Sequence, residues 1–145
     1  MSILNLIFGS KVKIQKKIND PMLGLLIWES DEEGWLVNYN GFEVILSYEK
    51  GNEKPSAELM QYASSMLKSP DYLFRALATA ISEFKIEFSE DEKVLDSLEY
   101  TVVNFYRYKS KVNRIIASLE SPFEERRTWR IEFCEQNCEG LGYDT

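Results

Sequence analysis

At 145 residues the chain has the length of one folded domain, enough to bury roughly 70% of the surface its unfolded form exposes. Its 44% hydrophobic and 13% aromatic content excludes a disordered chain, and a formal charge of −7 sets it against phosphate backbones. Histidine is absent, which removes Ser-His-Asp and Cys-His catalysis, His-based metal cages and the zinc deaminase signature.

Residues 1–19 hold four of the 17 basic side chains, Lys11, Lys13, Lys16 and Lys17, and no acid, so every carboxylate lies beyond them. Ile3, Leu6 and Ile7 follow helical spacing, whereas Lys11–Gln15 alternates as a strand does, so the opening is ambiguous. The apolar run Ile3–Phe8 is interrupted by Asn5, with no basic residue before it and no small-residue cleavage site, so no signal peptide is expected. An amphipathic membrane anchor would carry its lysines on the same helix as the apolar patch. Here they follow it, and the basic segment reads as peripheral to the domain, an edge strand guarded by lysine.

From Asp20 the signals sharpen. Leu23–Glu29 is short and apolar, Ser30–Gly34 reads as a turn, and Trp35, Val37 and Tyr39 share a strand face. Asn40 and Gly41 both tolerate the positive φ of a type I′ turn, so a hairpin is expected there. Phe42, Val44, Leu46 and Tyr48 line the next strand, completing a three-stranded meander. After a polar loop over 49–55 the period lengthens. Leu59, Tyr62, Ala63, Met66 and Leu67 make a helical stripe capped by Ser56. Ser69, Pro70 and Asp71 start a second helix, with Leu73, Leu77, Ala80, Ile81 and Phe84 inward. Ser89 and Glu92 have capping-box spacing and predict a short helical turn before Asp96.

Strands then return over Leu98–Tyr108, Asn113–Leu119 and Thr128–Cys134. The last alternates most cleanly, with Trp129, Ile131 and Phe133 inward and Arg130 and Glu132 outward. The order βββ–αα–βββ predicts an α+β fold, a mostly antiparallel sheet with helices packed on one face. No internal repeat or linker divides residues 1–145, so a single globular domain is expected.

Carboxylates are the only reactive groups in quantity: Asp31, Glu32 and Glu33; Glu90, Asp91 and Glu92; Glu124 and Glu125; and Glu132, Glu135 and Glu139. Two at a suitable separation would suit glycosidic hydrolysis, and three would suit a hard cation. These runs fall in turns and at a helix start, where solvated acids are expected, and the calcium-loop spacing is missing. Cys134 and Cys138 are too few for a structural zinc site and read as reduced thiols of a cytosolic protein. Gly24, Gly34, Gly41 and Gly51 are isolated turn glycines, so no phosphate loop exists. Neither a cofactor nor a metal is expected.

Trp28 and Trp35 flank a turn, where they pack in the core or form a stacking surface. Tyr100, Phe105, Tyr106, Arg107 and Tyr108 supply more aromatic surface than one core face needs, and tyrosine and arginine are common interface anchors. The candidate interaction surface is therefore Asp31, Glu32, Glu33, Tyr106, Arg107, Tyr108, Glu124 and Glu125.

The segment Asp20, Pro21, Met22, Leu23, Gly24, the Trp35 after an acidic turn, the helix pair and the ending Trp129–Phe133 with Leu141, Gly142, Tyr143 and Asp144 resemble small bacterial domains of unknown function. Some similar domains accompany toxin systems as immunity proteins. That resemblance implies a non-catalytic cytosolic binding module and carries no site residue across; the acidic balance either draws in a basic partner, which the module would neutralise, or serves only to keep the domain soluble. The residues alone leave open a small carboxylate-dependent hydrolase and a peripheral membrane or regulatory domain using the N-terminal lysines. Nucleic-acid binding is not expected.

Overall fold

The computed structural model describes residues 16–51, 53–68 and 70–144. Eight strands form one sheet in chain order: β1 (Lys17–Asp20), β2 (Gly24–Glu29), β3 (Gly34–Tyr39), β4 (Phe42–Ser47), β5 (Glu99–Tyr108), β6 (Val112–Ser121), β7 (Glu124–Cys134) and β8 (Asn137–Asp144). Between β4 and β5 stand α1 (Ala57–Lys68), α2 (Pro70–Glu87) and α3 (Glu92–Asp96). The class is α+β, and every neighbouring pair is antiparallel except β4 with β5. That pair is parallel, Glu43 opposite Val102 through Leu46 opposite Phe105, because the helical connection brings the chain back to the end from which β4 started.

Two strands, β1 and β8, exceed the βββ–αα–βββ order, and the helical turn expected before Asp96 is α3. β1 is only four residues long, too short for its alternating burial to mark it, and it forms an edge of the sheet at the end of the segment read as a lysine-guarded edge strand. It closes on a turn in which the Asp20 carboxylate accepts from the backbone N–H of Met22 at 3.0 Å and Leu23 at 2.8 Å. β8 carries Gly140 and Gly142, poor strand formers, and is held by its pairing with β7 from Thr128–Asp144 to Cys134–Asn137. Where that ladder slips, between Glu132 and Phe133, Gly140 adopts φ +129°, a conformation closed to other residues. The short helix α3 is capped by Asp91, which accepts from Lys93 N–H at 2.9 Å; Ser89 is not its cap.

Other signals stand as read. Asn40 (φ 49°) and Gly41 (φ 89°) make the expected hairpin turn. Ser56 Oγ accepts from Leu59 N–H at 3.1 Å and donates to Glu49 Oε1 at 2.6 Å, capping α1. The Ser69 cap and the N-terminal readings over Ile3–Phe8, Lys11 and Lys13 lie outside the described residues.

One buried cluster unites Leu26, Trp35, Val44, Leu46, Val103, Phe105, Ile115, Leu119, Trp129, Ile131 and Phe133 with the stripes of α1 and α2. Ile81 sits at its margin and is only partly buried. Burying a Leu, Ile or Phe side chain fully stabilises by about 1.5–3 kcal/mol, so this cluster supplies the main driving force. Tyrosines fasten helix to strand through it. Tyr62 Oη donates to Glu135 O at 2.6 Å, Tyr100 Oη to Leu73 O at 2.7 Å, and Tyr39 Oη to Leu67 O at 3.3 Å. No helix among the described residues is long and apolar enough to cross a membrane.

Candidate binding surface

Asp31, Glu32 and Glu33 occupy the turn between β2 and β3, all exposed, as three successive acids before a glycine dictate. The turn is held at both ends. Glu33, at φ 49°, donates its N–H to Ser30 O at 3.2 Å, and its carbonyl accepts from Tyr48 N–H at 2.8 Å. Three carboxylates are thus presented on a pinned backbone, with little ordering left to lose on binding.

Tyr106, Arg107 and Tyr108 end β5. Because β5 runs parallel to β4, and β4 ends opposite the start of β3, they lie along the same end of the sheet as the acidic turn. β3 and β5 are separated by β4, which places the two groups about 10 Å apart across the strands. Tyr106 stands opposite Arg114 and accepts its hydrogen bond, the main reason that guanidinium is held above its ordinary pKa; Glu139 adds a salt bridge. Arg107 is committed internally, donating to Ser110 O at 3.1 Å and lying 3.9 Å from the Glu58 carboxylate. Tyr108 is half exposed, with the Lys109 ammonium 5.3 Å from its ring centroid. Lys109 (φ 52°) and Ser110 (φ 57°) make the turn beyond it without glycine.

Glu124 and Glu125 begin β7 and therefore lie at the opposite end of the sheet, roughly 30 Å away along the strand. Glu124 is a structural anchor: its Oε2 accepts from Arg127 Nη2 at 2.6 Å, and Trp129 Nε1 donates to its other oxygen at 3.3 Å. The Arg127 hydrogen bond holds the Glu124 carboxyl below its ordinary pKa, against the upward push of burial. Glu90 also accepts from Arg127, at 2.9 Å. Glu125 remains solvated. The nominated residues thus form two groups at one end and a third elsewhere.

Among the described residues no three His, Cys, Asp or Glu side chains gather where they could hold a metal ion. Cys138 pairs with Phe133 across β7 and β8 and shares its face, so the adjacent Cys134 points to the other face and the thiols diverge. Cys138 is exposed as a residue, but partial burial of its sulfur pushes the thiol pKa up, partly offset by a backbone hydrogen bond from Gly140.

Sequence reading assigned Trp28 and Trp35 a shared role, and the structure separates them. Trp35 is 3% exposed and belongs to the core, whereas Trp28 is half-buried beside it, rings edge-on with centroids 5.4 Å apart. Tyr48, 49% exposed, meets Trp28 edge-on at 5.9 Å. With Lys16, Gly51 and Glu53 these three rings line a cleft of about 330 Å³ beside the acidic turn. Tyr48 and Glu53 were not singled out in the sequence. The available signal was Tyr48 itself, the last member of the inward alternation Phe42, Val44, Leu46, where the hydrophobic run leaves the core.

Comparison of the chain with protein-family models, with characterised proteins and with solved structures finds no match.

Proposed function

We propose that this chain is a single-domain, non-catalytic protein-binding module of the cytosol that neutralises a basic partner, in the manner of the immunity-type proteins it resembles. The observation carrying this reading is the pinned, exposed Asp31–Glu33 turn on a chain of charge −7. Such a field steers a cationic protein into contact and repels acidic ones. The reading further takes α1 and α2 to cover one face of the sheet and leave the other for contact. Its support is that the helix rings Tyr62, Tyr72 and Phe84 meet Phe105 of β5 and Phe133 and Trp129 of β7 respectively, with Phe105 and Phe133 both paired to Ile115 of β6. Leu25, Ile27, Leu36, Asn38 and Glu43, on β2 to β4, line a shallow hollow of about 260 Å³ that would be available to the same partner.

The test is capture of binding proteins by the immobilised full chain, eluted with rising salt, beside the variant D31N/E32Q/E33Q. A basic protein retained by the wild type and lost from the variant is the expected result. Equal retention by both, or retention of an acidic protein alone, overturns the proposal.

A further inference from the structure

We propose that the cleft walled by Trp28, Trp35, Tyr48 and Glu53 receives an arginine side chain of the partner. The inference rests on the basic-partner reading above and names where that partner is gripped.

Three observations converge on a cation. The rings of Trp35 and Tyr48 each stand steeply to Trp28, at 65° and 76°, so the walls turn around a shared space and do not close into a flat stack. A guanidinium is drawn to aromatic faces, and its planar, weakly hydrated head loses less on leaving water than an ammonium does. Glu53 lines the cleft and is exposed; an apolar ligand would strip water from its carboxylate without return, while a guanidinium would hydrogen-bond to it. Finally, Tyr48 N–H is bonded to the Glu33 carbonyl at 2.8 Å, which fixes the acidic turn to the cleft. The Asp31–Glu33 field and the aromatic walls therefore act on one incoming side chain, the first attracting it and the second retaining it.

Lys16 also lines the cleft, exposed, with its backbone carbonyl bonded to Trp28 N–H at 3.0 Å. Its long flexible side chain can bring an ammonium to the same rings and carboxylate, in competition with an arriving arginine. Removing that charge therefore strengthens binding.

The experiment titrates the full-length protein with a blocked Gly-Arg-Gly peptide and with its neutral citrulline counterpart, following the Trp28 indole N–H by NMR. Because Tyr48 is half exposed and Glu53 exposed, Tyr48→Leu and Glu53→Gln should leave the fold intact, which the unperturbed Trp129 indole signal verifies. The expected result is a saturable Trp28 shift with arginine, about tenfold weaker with citrulline and in either variant, and stronger in Lys16→Ala. Equal binding of arginine and citrulline, undiminished binding in both variants, or no Trp28 shift overturns the proposal. A captured basic partner that binds Tyr48→Leu as tightly as wild type would remove this cleft from the interface while leaving the proposed function standing.

Discussion

The guanidinium carbon of Arg127 lies 4.6 Å from the ring centroid of Trp129, and the paired strand brings Tyr143 to the same cation at 4.5 Å. Glu124 and Glu90 take its hydrogen bonds. A cation held between two rings and two carboxylates locks the start of β7 to β8 and to the segment before α3. Arg127→Met leaves two partly buried acids without their partner, so it should destabilise by about 1–3 kcal/mol in urea unfolding; Arg127→Lys, lacking the planar fork, should recover only part. The same bond gives an acid limb. Glu124 has its pKa lowered in the fold, so its contribution is complete above the unfolded carboxylate value of about 4.3 and is lost as pH falls through the folded value. Arg127→Met should flatten that limb, and an unchanged acid profile would mean the pair is not felt.

Trp129 itself is 1% exposed and contacts Phe84 edge-on at 5.4 Å. Trp129→Ala should cost about 3–5 kcal/mol by denaturant or thermal unfolding. A change near zero would place that ring outside the core and break the register of β7.

Two buried phenols predict an alkaline limb. Tyr62 and Tyr100 are both pushed well above the ordinary tyrosine pKa, chiefly by burial, and each spends its proton on a backbone carbonyl. Folding therefore favours the neutral form. Their contribution is complete below the unfolded value of about 10 and declines as pH rises from there toward the folded values. Stability should hold to about pH 10 and fall from there to about pH 11, and the double variant Tyr62→Phe/Tyr100→Phe should fall less steeply over that window. Parallel curves for the two proteins would contradict this origin.

The parts of this fold that were legible in the sequence share a cause, and so do those that were not. Leu59, Tyr62, Ala63, Met66 and Leu67 repeat at helical spacing, and Trp129, Ile131 and Phe133 at strand spacing, because each faces one apolar layer. β8 shows no such pattern: it exists through its ladder to β7, a partner no local window contains. The exposed Asp31–Glu33 turn was readable as a solvated acidic run. The cleft was not, since Trp28, Tyr48 and Glu53 meet only once the registers of β2, β3 and β4 are set. Glu124 read as a solvated acid in a turn, since the last strand was expected to begin only at Thr128; β7 instead starts at Glu124, and Arg127 pairs with it. Gly34 read as a turn glycine, but its φ is not positive; its hydrogen atom is what counts.

At Gly34 an added Cβ would sit 2.8 Å from the Leu46 carbonyl oxygen and 2.9 Å from Ile45 Cγ2. The backbone oxygen cannot yield without disturbing the β3–β4 ladder. Gly34→Ala should therefore destabilise by about 1–3 kcal/mol, whereas Gly24→Ala meets no neighbouring atom and strains only its φ of +91°. Unfolding curves of the two variants distinguish steric clash from backbone strain. A Gly34→Ala protein as stable as wild type would contradict the close approach.

The most direct test of a negatively charged docking module is the association rate of a captured basic partner as ionic strength is raised. Wild type should associate about tenfold or more slowly at high salt than at low, with D31N/E32Q/E33Q slow throughout. A rate independent of salt, identical in the two proteins, would contradict the account.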